Sequence, residues 1–403
     1  MTDPVAARIA VVHDWLIDYA GAERVLAEIL RCFPQADLFA LVDHMPESQR
    51  AFLGGRRATT TFLQAMPWVA SHLRYYLPLM PFAIEQLDLT GYNLVLSSSH
   101  AVAKGVIVSP DALHVSYVHS PMRYAWDQQF VYLRGEHMDR GIKGFLLRWL
   151  LHRLRLWDHR SASGVDRFVA NSRFIARRIL KAYRRDAEVI YPPVDTELFR
   201  PGAERDDSYV TVSRLMPYKR VDLLVMAFAR MPQRRLVVIG DGPGYARLKA
   251  SAPANVQMAG HLHLEEVRTR VQRARAFLFA SDEDFGIAPV EALACGTPVI
   301  ALRRGGAAET VTGLDSDQPT GVFFEEPSAP AVVAAVDVFE SNRHRISAEE
   351  CRRQSERFSA ERFRSEFAAL VGRSWVEWQQ YRRGNSTAFA PQSDDHCEQK
   401  GAE

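Results

Sequence analysis

Residues 283–291 read Glu283-Asp284-Phe285-Gly286-Ile287-Ala288-Pro289-Val290-Glu291, and a run with the character of a buried strand, Thr297 to Leu302, follows them. Two carboxylates separated by seven residues frame a glycine-containing turn that leads directly into a helix. Free backbone N–H groups and the positive dipole end at such a helix entry favour a diphosphate held at Gly286 to Val290, and Phe285, Gly286, Ile287, Ala288 and Pro289 are the candidate binding residues of this turn. A carboxylate before the turn, Glu283, can accept hydrogen bonds from sugar hydroxyls, and Glu291 on the helix can reach the vicinal hydroxyls of a ribose. The stretch therefore suits a sugar nucleotide. Read without context, Glu283 and Glu291 are equally an exposed loop acid and a first-turn acid that complements the helix dipole. Asp282 and Asp284, like Asp315 and Asp317 downstream, also spell Asp-x-Asp, a pattern too common to establish a metal site on its own.

A second constellation bears on the choice. Val210 to Asp222 reads as a strand ending at Ser213, then a loop carrying Arg214 and Lys219, then a helix. In parallel α/β sheets ligands collect beyond the carboxyl ends of strands, and two cations there suit a pyrophosphate leaving group that gains negative charge. The alternative is a solvated basic loop; the functional reading requires both cations to face one cleft.

Ser213-Arg214 with Lys219, Gly240-Asp241-Gly242-Pro243 and the 283–291 stretch occur in the order seen in retaining GT-B glycosyltransferases of family 4, which the chain resembles over nearly its whole length. Val12-His13-Asp14-Trp15, the run Ser97 to Gly105, the run His119 to Asp127 and Pro217 to Asp222 look like the bacterial O-antigen and exopolysaccharide mannosyltransferase branch. The resemblance implies an α/β protein of GT-B fold, with two Rossmann-like domains facing a central cleft and a C-terminal helix crossing back onto the first domain. It assigns residues 1–198 to an acceptor-binding domain, 199–355 to a nucleotide-sugar-binding domain, 356–384 to the crossover helices and 385–403 to a disordered tail.

Length and composition agree: 403 residues with 47% hydrophobic content are ample for two cores. A net charge of +2 with 24% charged residues carries no signature of a nucleic-acid binder. Cys32, Cys295, Cys351 and Cys397 form no Cys-x-x-Cys pair or zinc spacing and read as reduced cytosolic thiols. Met1 to Arg8 lacks a basic segment followed by an apolar run, and no apolar stretch reaches about 18 residues. The expectation is a cytoplasmic protein, neither secreted nor membrane-spanning.

Strands are expected at Arg8–His13, Leu38–Val42, Leu94–Ser98, Leu113–Val118 and Asp166–Ala170, with a helix at Ala22–Cys32. After a linker, Asp195 to Asp207, strands resume at Tyr209–Ser213, Leu236–Gly240, Val256–Ala259, Ala276–Ala280 and Pro298–Leu302. Residues 352–382 look helical, with Phe358, Phe363, Phe367, Leu370, Trp375 and Trp378 as a packing stripe. The tail from Asn385 is too polar to fold.

Further candidates extend the cleft. Gly240-Asp241-Gly242-Pro243-Gly244 follows a strand but is not Gly-x-Gly-x-x-Gly, and reads as a tight turn on the nucleotide side. Gly260 and His261 stand where relatives meet the nucleobase. Gly21 opens a helix that offers N–H groups to the diphosphate, with Ala22 where relatives often carry a second glycine. His119 matches the histidine that contacts the transferred sugar; His13, Asp14, Arg123 and Asp127 are candidates for the acceptor. The mechanism implied retains configuration without a cofactor or essential metal: Arg214 and Lys219 neutralise the leaving group, Glu283 holds sugar hydroxyls and Glu291 holds the ribose.

Ile142, Phe145, Leu146, Trp149, Leu150, Leu154 and Trp157 recur at helical spacing among Lys143, Arg148, Arg153, Arg155 and Arg160. This describes either a core-facing helix or one resting on anionic headgroups at the inner face of the cytoplasmic membrane. Phe62 to Leu89 is a second candidate rim. The expected reaction moves α-mannose from GDP-mannose to a polyprenyl-diphosphate-linked oligosaccharide in bacterial surface polysaccharide assembly. A UDP-sugar donor, a GT-B-fold sugar-nucleotide epimerase and a catalytically silent binding subunit are the competing readings.

Overall fold

The computed structural model describes residues 7–135, 140–202 and 204–384; the expected disordered tail lies outside them. Short runs rich in Val, Ile, Leu and Phe, such as Ile9–His13, Arg235–Ile239 and Val299–Leu302, are buried almost throughout. Such continuous burial is the mark of strands covered on both faces, which parallel sheets with flanking helices provide.

The first sheet comprises β1 (Ile9–His13), β2 (Asp37–Ala40), β3 (Thr59–Thr60), β4 (Leu94–Ser99), β5 (Leu113–Val118), β6 (Arg167–Ala170) and β7 (Glu188–Val189). The second comprises β8 (Ser208–Val212), β9 (Arg235–Ile239), β10 (Val256–Gly260), β11 (Ala276–Phe279), β12 (Val299–Leu302) and β13 (Gly321–Phe324). Their orders are β3-β2-β1-β4-β5-β6-β7 and β10-β9-β8-β11-β12-β13, with every pairing parallel. Each is a doubly wound sheet whose order reverses beside its first strand, between β1 and β4 and between β8 and β11. Ligand crevices form at these switch points, beyond the carboxyl ends of the strands. The architecture is the expected pair of Rossmann-like units.

β3, β7 and β13 are additions to the expected strands. The first two are two-residue edges, too short to carry a period, and β13 follows the polar run Thr312–Thr320. The expected helical stretch 352–382 is two helices, Ala348–Glu356 and Ala360–Arg382. Ser359 starts the second by accepting the Arg362 N–H at 3.2 Å, while the Phe358 carbonyl accepts the Val194 N–H at 2.8 Å. Phe358 thus leaves the aromatic stripe and is buried between Tyr191 and Phe285, at ring separations of 5.2 and 5.5 Å. Phe363, Phe367, Leu370, Val371, Trp375 and Trp378 continue onto the first sheet's core with Val11, Leu96 and Tyr117.

The Gly141–Ser161 helix corrects another reading, because its apolar residues occupy opposite faces. Leu151 and Leu154 enter the core against Leu73, Met80 and Ala83. Ile142, Phe145, Leu146 and Trp149 point outward, 80, 64, 57 and 57% exposed. No helix among the described residues is long and apolar enough to cross a membrane.

Phe367 stacks on Phe363 at 5.6 Å and meets Phe33 edge-on at 6.4 Å, tying the last helix to the Gly21–Cys32 helix. Phe367→Ala is expected to cost about 3–5 kcal/mol of stability, the range for removing a buried aromatic ring, measured by chemical denaturation.

Candidate functional site

The two switch points face each other across a cavity of about 380 Å³ lined by both halves of the chain. From the first half come Gly21, Arg24, His119 and Arg123; from the second, Arg214, Lys219, Glu283 and the loop through Glu291. Gly21 opens its helix directly opposite Ile287: a Cβ on Gly21 would stand 3.1 Å from the Ile287 Cδ1. Two helix N-termini therefore converge on one space. Ser172, Ser328, Ser347 and Ser359 cap other helices with their hydroxyls, but Ala20 and Gly286 start these two and have no side chain that can accept. Gly286 adopts φ +83°, a conformation few other residues tolerate, to turn the chain into the Ile287–Ala294 helix.

Charged groups of both signs line the mouth. Lys219 pairs with Glu283, and Arg24 bridges the halves to Glu291 with Nη1 2.5 Å from Oε1. Arg214 is exposed at the cavity wall and has no ion pair or side-chain hydrogen bond among the described residues. Its position follows from the strand-end turn beneath it: the Leu215 N–H donates to the Asp241 carbonyl at 2.8 Å, and the Gly244 N–H to the Leu215 carbonyl at 3.0 Å. A Cβ on Gly240 would lie 1.9 Å from the Ser213 carbonyl oxygen. Gly240 and Gly242 thus support the Arg214 loop from below instead of lining the cavity, and His261 stands exposed outside the lining.

Asp284, read from sequence as half of an Asp-x-Asp pattern, is instead the centre of a junction between the halves. Its carboxylate pairs with Arg123 and lies 3.0 Å from Arg178 Nη1, while its carbonyl accepts the Ser172 hydroxyl at 2.6 Å. Burial pushes its pKa up and the two guanidiniums oppose that, so the net value stays above the ordinary carboxylate range. Nearby, Glu309 accepts the Arg173 and Phe174 N–H groups, each at 2.8 Å, and so caps from the second half a helix of the first. Gly305 and Gly306 let the 303–306 turn press on the 283–291 loop: the Gly306 N–H donates to the Glu283 carbonyl at 2.8 Å, and a Cβ there would sit 2.2 Å from the Phe285 Cα. Sequence reasoning passed over Arg24, Arg178, Glu309 and this Gly-Gly pair, although two glycines at a strand end signal close backbone approach.

The acceptor candidates separate. Arg123 lines the cavity but is committed to Asp284, and Asp127 is a half-exposed partner of Arg178 outside the lining. Asp14 is corrected outright. It is fully buried and accepts four backbone N–H groups, from His100, Ala101, Val102 and Ala103, at 2.6 to 2.9 Å. It closes the turn after β4 and faces no cleft. His13 is also buried, hydrogen-bonded to Ser98 and Glu23. His119 reaches the cavity, its Nε2 2.9 Å from the Ser98 hydroxyl, and burial with His100 and His13 nearby drives its pKa well down, so the ring is neutral at pH 7.

Residues 19–198 match the model of Glycosyltransferase Family 4, and residues 195–358 that of Glycosyl transferases group 1. Curated relatives include the D-inositol 3-phosphate glycosyltransferase of Mycobacterium marinum, 32% identical over 189 residues that cover 38% of this chain and 40% of that protein. The enzyme of the same name from Mycobacterium leprae is 34% identical over 168 residues, 35% of this chain and 39% of that one. The chain thus spans well under two thirds of the length of these relatives. Among solved structures, the sucrose-phosphate synthase of Thermosynechococcus elongatus superimposes with TM-score 0.69 at 17% identity, covering 92% of this chain and 99% of that one. Anabaena Alr3699/HepE in complex with UDP gives 0.64 at 18% identity, covering 90% and 99%. At such identities the likeness is one of fold.

Burial alone would raise the Asp14 pKa, but His100 and the converging N–H groups bring the net value below the ordinary range. Its contribution to stability is full above about pH 4 and is lost as pH falls through the depressed folded value. Asp14→Asn, which sets an NH₂ against backbone donors, is expected to cost at least about 3 kcal/mol at pH 7. Its stability should also decline less below pH 4 than that of the wild type, as followed by denaturation at a series of pH values.

Proposed function

We propose, from the premise that the halves of this chain belong to glycosyltransferase family 4 and to the group 1 glycosyl transferases, that the protein transfers a hexosyl group from a nucleoside-diphosphate sugar with retention of configuration. The observation that carries this reading is the meeting, at the facing switch points, of two helix N-termini whose N-cap residues have no accepting side chain, with Arg214, which has no ion pair among the described residues, and Lys219, which pairs with Glu283. Free N–H groups, dipole ends and cations in one place are what a diphosphate requires.

In the proposed reaction the bond between the anomeric carbon and the diphosphate oxygen breaks, and the leaving diphosphate takes the electron pair. Arg214 and Lys219 stabilise the charge that develops there. The diphosphate competes with Glu283 for Lys219, which turns the Glu283 carboxylate toward the sugar hydroxyls. A ribose competes in the same way with Arg24 for Glu291. His119, neutral, faces the sugar; the acceptor hydroxyl attacks the anomeric carbon from the leaving-group side, and its proton passes to the departing diphosphate oxygen. No divalent metal is assigned a role; Asp284, the carboxylate best placed to bind one, is held by two arginines.

GDP-mannose is the proposed donor, on the strength of the motifs at Val12–Trp15, Ser97–Gly105 and His119–Asp127. A UDP-sugar is the second reading, favoured by the UDP bound to the Anabaena protein. The proposed acceptor is a saccharide on a polyprenyl diphosphate, met at a membrane surface. The outward residues Ile142, Phe145, Leu146 and Trp149 support that, on a helix bearing Lys143, Arg148, Arg153, Arg155 and Arg160 whose one acid, Asp158, is buried against Lys104. Trp68, Tyr75 and Phe82 of the second candidate rim are also exposed, while their neighbours Val69, Leu73 and Met80 enter the same core as Leu151 and Leu154.

The test incubates the protein with bacterial membrane extract and separately labelled GDP-mannose, UDP-glucose and UDP-N-acetylglucosamine, and counts label in the lipid fraction. GDP-mannose alone is expected to label it; label from a UDP-sugar alone overturns the donor, and an isomerised nucleotide sugar without label indicates an epimerase. Lys219→Ala is expected to lower kcat about 10²- to 10³-fold, the scale for removing one donor to a developing oxyanion, in steady-state assays. Phe145→Glu with Trp149→Glu should abolish co-flotation with vesicles of phosphatidylglycerol and leave the folded stability unchanged.

A further inference from the structure

Behind His119 runs a buried chain of polar groups that the reaction above does not use. The Glu23 Oε1 lies 3.4 Å from His13 Nε2; His13 Nδ1 lies 3.1 Å from the Ser98 hydroxyl; and that hydroxyl lies 2.9 Å from His119 Nε2. His13, Glu23 and Ser98 are all buried, at 0, 5 and 0% exposure. The chain ends at the cavity, where His119 is partly exposed and its Nδ1 makes no hydrogen bond among the described residues.

The direction of the protons along this chain follows from its far end. An ionised carboxylate only accepts, so Glu23 requires a proton on His13 Nε2. A His13 ring that carries its single proton there has a bare Nδ1, which takes the Ser98 O–H. The Ser98 oxygen is left to accept from His119, which places the His119 proton on Nε2. The other Glu23 oxygen is occupied as well, accepting the Ala20 N–H at 3.0 Å at the entrance of the Gly21–Cys32 helix. Both oxygens of Glu23 are thereby bound to act as acceptors, one toward the cleft helix and one toward the histidines.

We infer that Glu23, acting through His13 and Ser98, is a positioning residue that keeps the His119 proton on Nε2 and leaves Nδ1 as a hydrogen-bond acceptor at the cleft. Its purpose rests on the glycosyl-transfer reading: an acceptor nitrogen holds a sugar hydroxyl by that hydroxyl's own proton and disfavours a donor whose hydroxyl there is missing or replaced by fluorine. The proton arrangement itself stands apart from any activity. Glutamine at position 23 has one accepting atom for two tasks; with its oxygen on the Ala20 N–H, its NH₂ faces His13 Nε2 and the whole chain of protons reverses.

The test is long-range proton–nitrogen NMR of the full chain labelled with ¹⁵N in its histidine rings, at about pH 8, above the ordinary histidine range. His119 is assigned by the signals lost in His119→Gln. The wild type is expected to show His119 as the Nε2–H tautomer, Glu23→Gln to move that proton to Nδ1, and Ser98→Ala to give a mixture, while Ser98→Thr, which keeps the hydroxyl, restores the wild-type pattern. An Nδ1–H tautomer in the wild type, or a His119 pattern unmoved by both Glu23→Gln and Ser98→Ala, overturns the inference. With the donor found active above, Glu23→Gln should lower kcat about tenfold to a hundredfold, the scale for displacing a group near the reacting atoms, with the donor KM unchanged. If no donor is turned over, the glycosyl-transfer reading fails and the NMR result still decides the relay.

Discussion

The ion pairs of Asp284 with Arg123 and Arg178 hold the site together, because they fasten the 283–291 loop of the second half to the turn after β5 and to the Arg173–Tyr183 helix of the first. A buried carboxylate of this kind contributes little net stability, since desolvation offsets most of the attraction. Its effect is positional. With the Asp284 side chain drawn toward the first half and its carbonyl held by Ser172, the adjoining Glu283 and Phe285 point in opposite directions, one toward Lys219 and the other into the packing of Tyr191 and Phe358. The Gly305–Gly306 turn fixes the same loop from the opposite side. A segment that would otherwise be a mobile connection becomes the rigid floor of the cavity.

Around that floor the charges are matched across the cleft. Arg24 with Glu291, Arg123 with Asp284 and Lys219 with Glu283 are each opposite-sign pairs, and two of the three join different halves of the chain. Arg214 stands apart, a cation without an ion-pair partner among the described residues, beside two helix ends whose own dipoles are positive. The cleft is therefore neutral in most of its parts and positive at one point. An anion drawn to that point meets carboxylates on either side that can be released from their cationic partners.

The fold was legible because its strands are buried runs between glycines and helices, and the reading depended only on local pattern. β5 lies where its apolar run predicts, and β1 and β4 differ by one residue at an end. The loop 283–291 and the cations Arg214 and Lys219 were also legible, since a turn followed by a helix and a strand end followed by two cations are local signatures. What escaped was whatever depends on two distant segments at once. Asp14 resembled a cleft residue because its role depends on the backbone of residues 100–103, and Arg178 and Glu309 carry no local mark at all. Gly240 and Gly242 follow the expected strand, and what their sequence could not show is the partner: their small size lets the backbone of Ser213 and Leu215 approach.

The break at Phe358 has a bearing on heredity. The chain leaves the first sheet near Val194, builds the second, and returns at Ser359, where Val194 and Ser359 lie side by side as neighbouring strand-like bridges. Phe363, Phe367, Leu370, Val371, Trp375 and Trp378 of the helix after that point belong to the core of the first half. The second half is therefore an insertion in an otherwise continuous body, entered and left through one narrow gate. A hybrid between two such proteins made by joining them at a single crossover would give the first half a foreign last helix, with Phe363, Phe367 and Trp375 facing a core they were not selected to fill. Only a double exchange, cut on both sides of that gate, moves the second half as a unit. The recombination events that lineages of this architecture can survive should be biased toward such paired junctions.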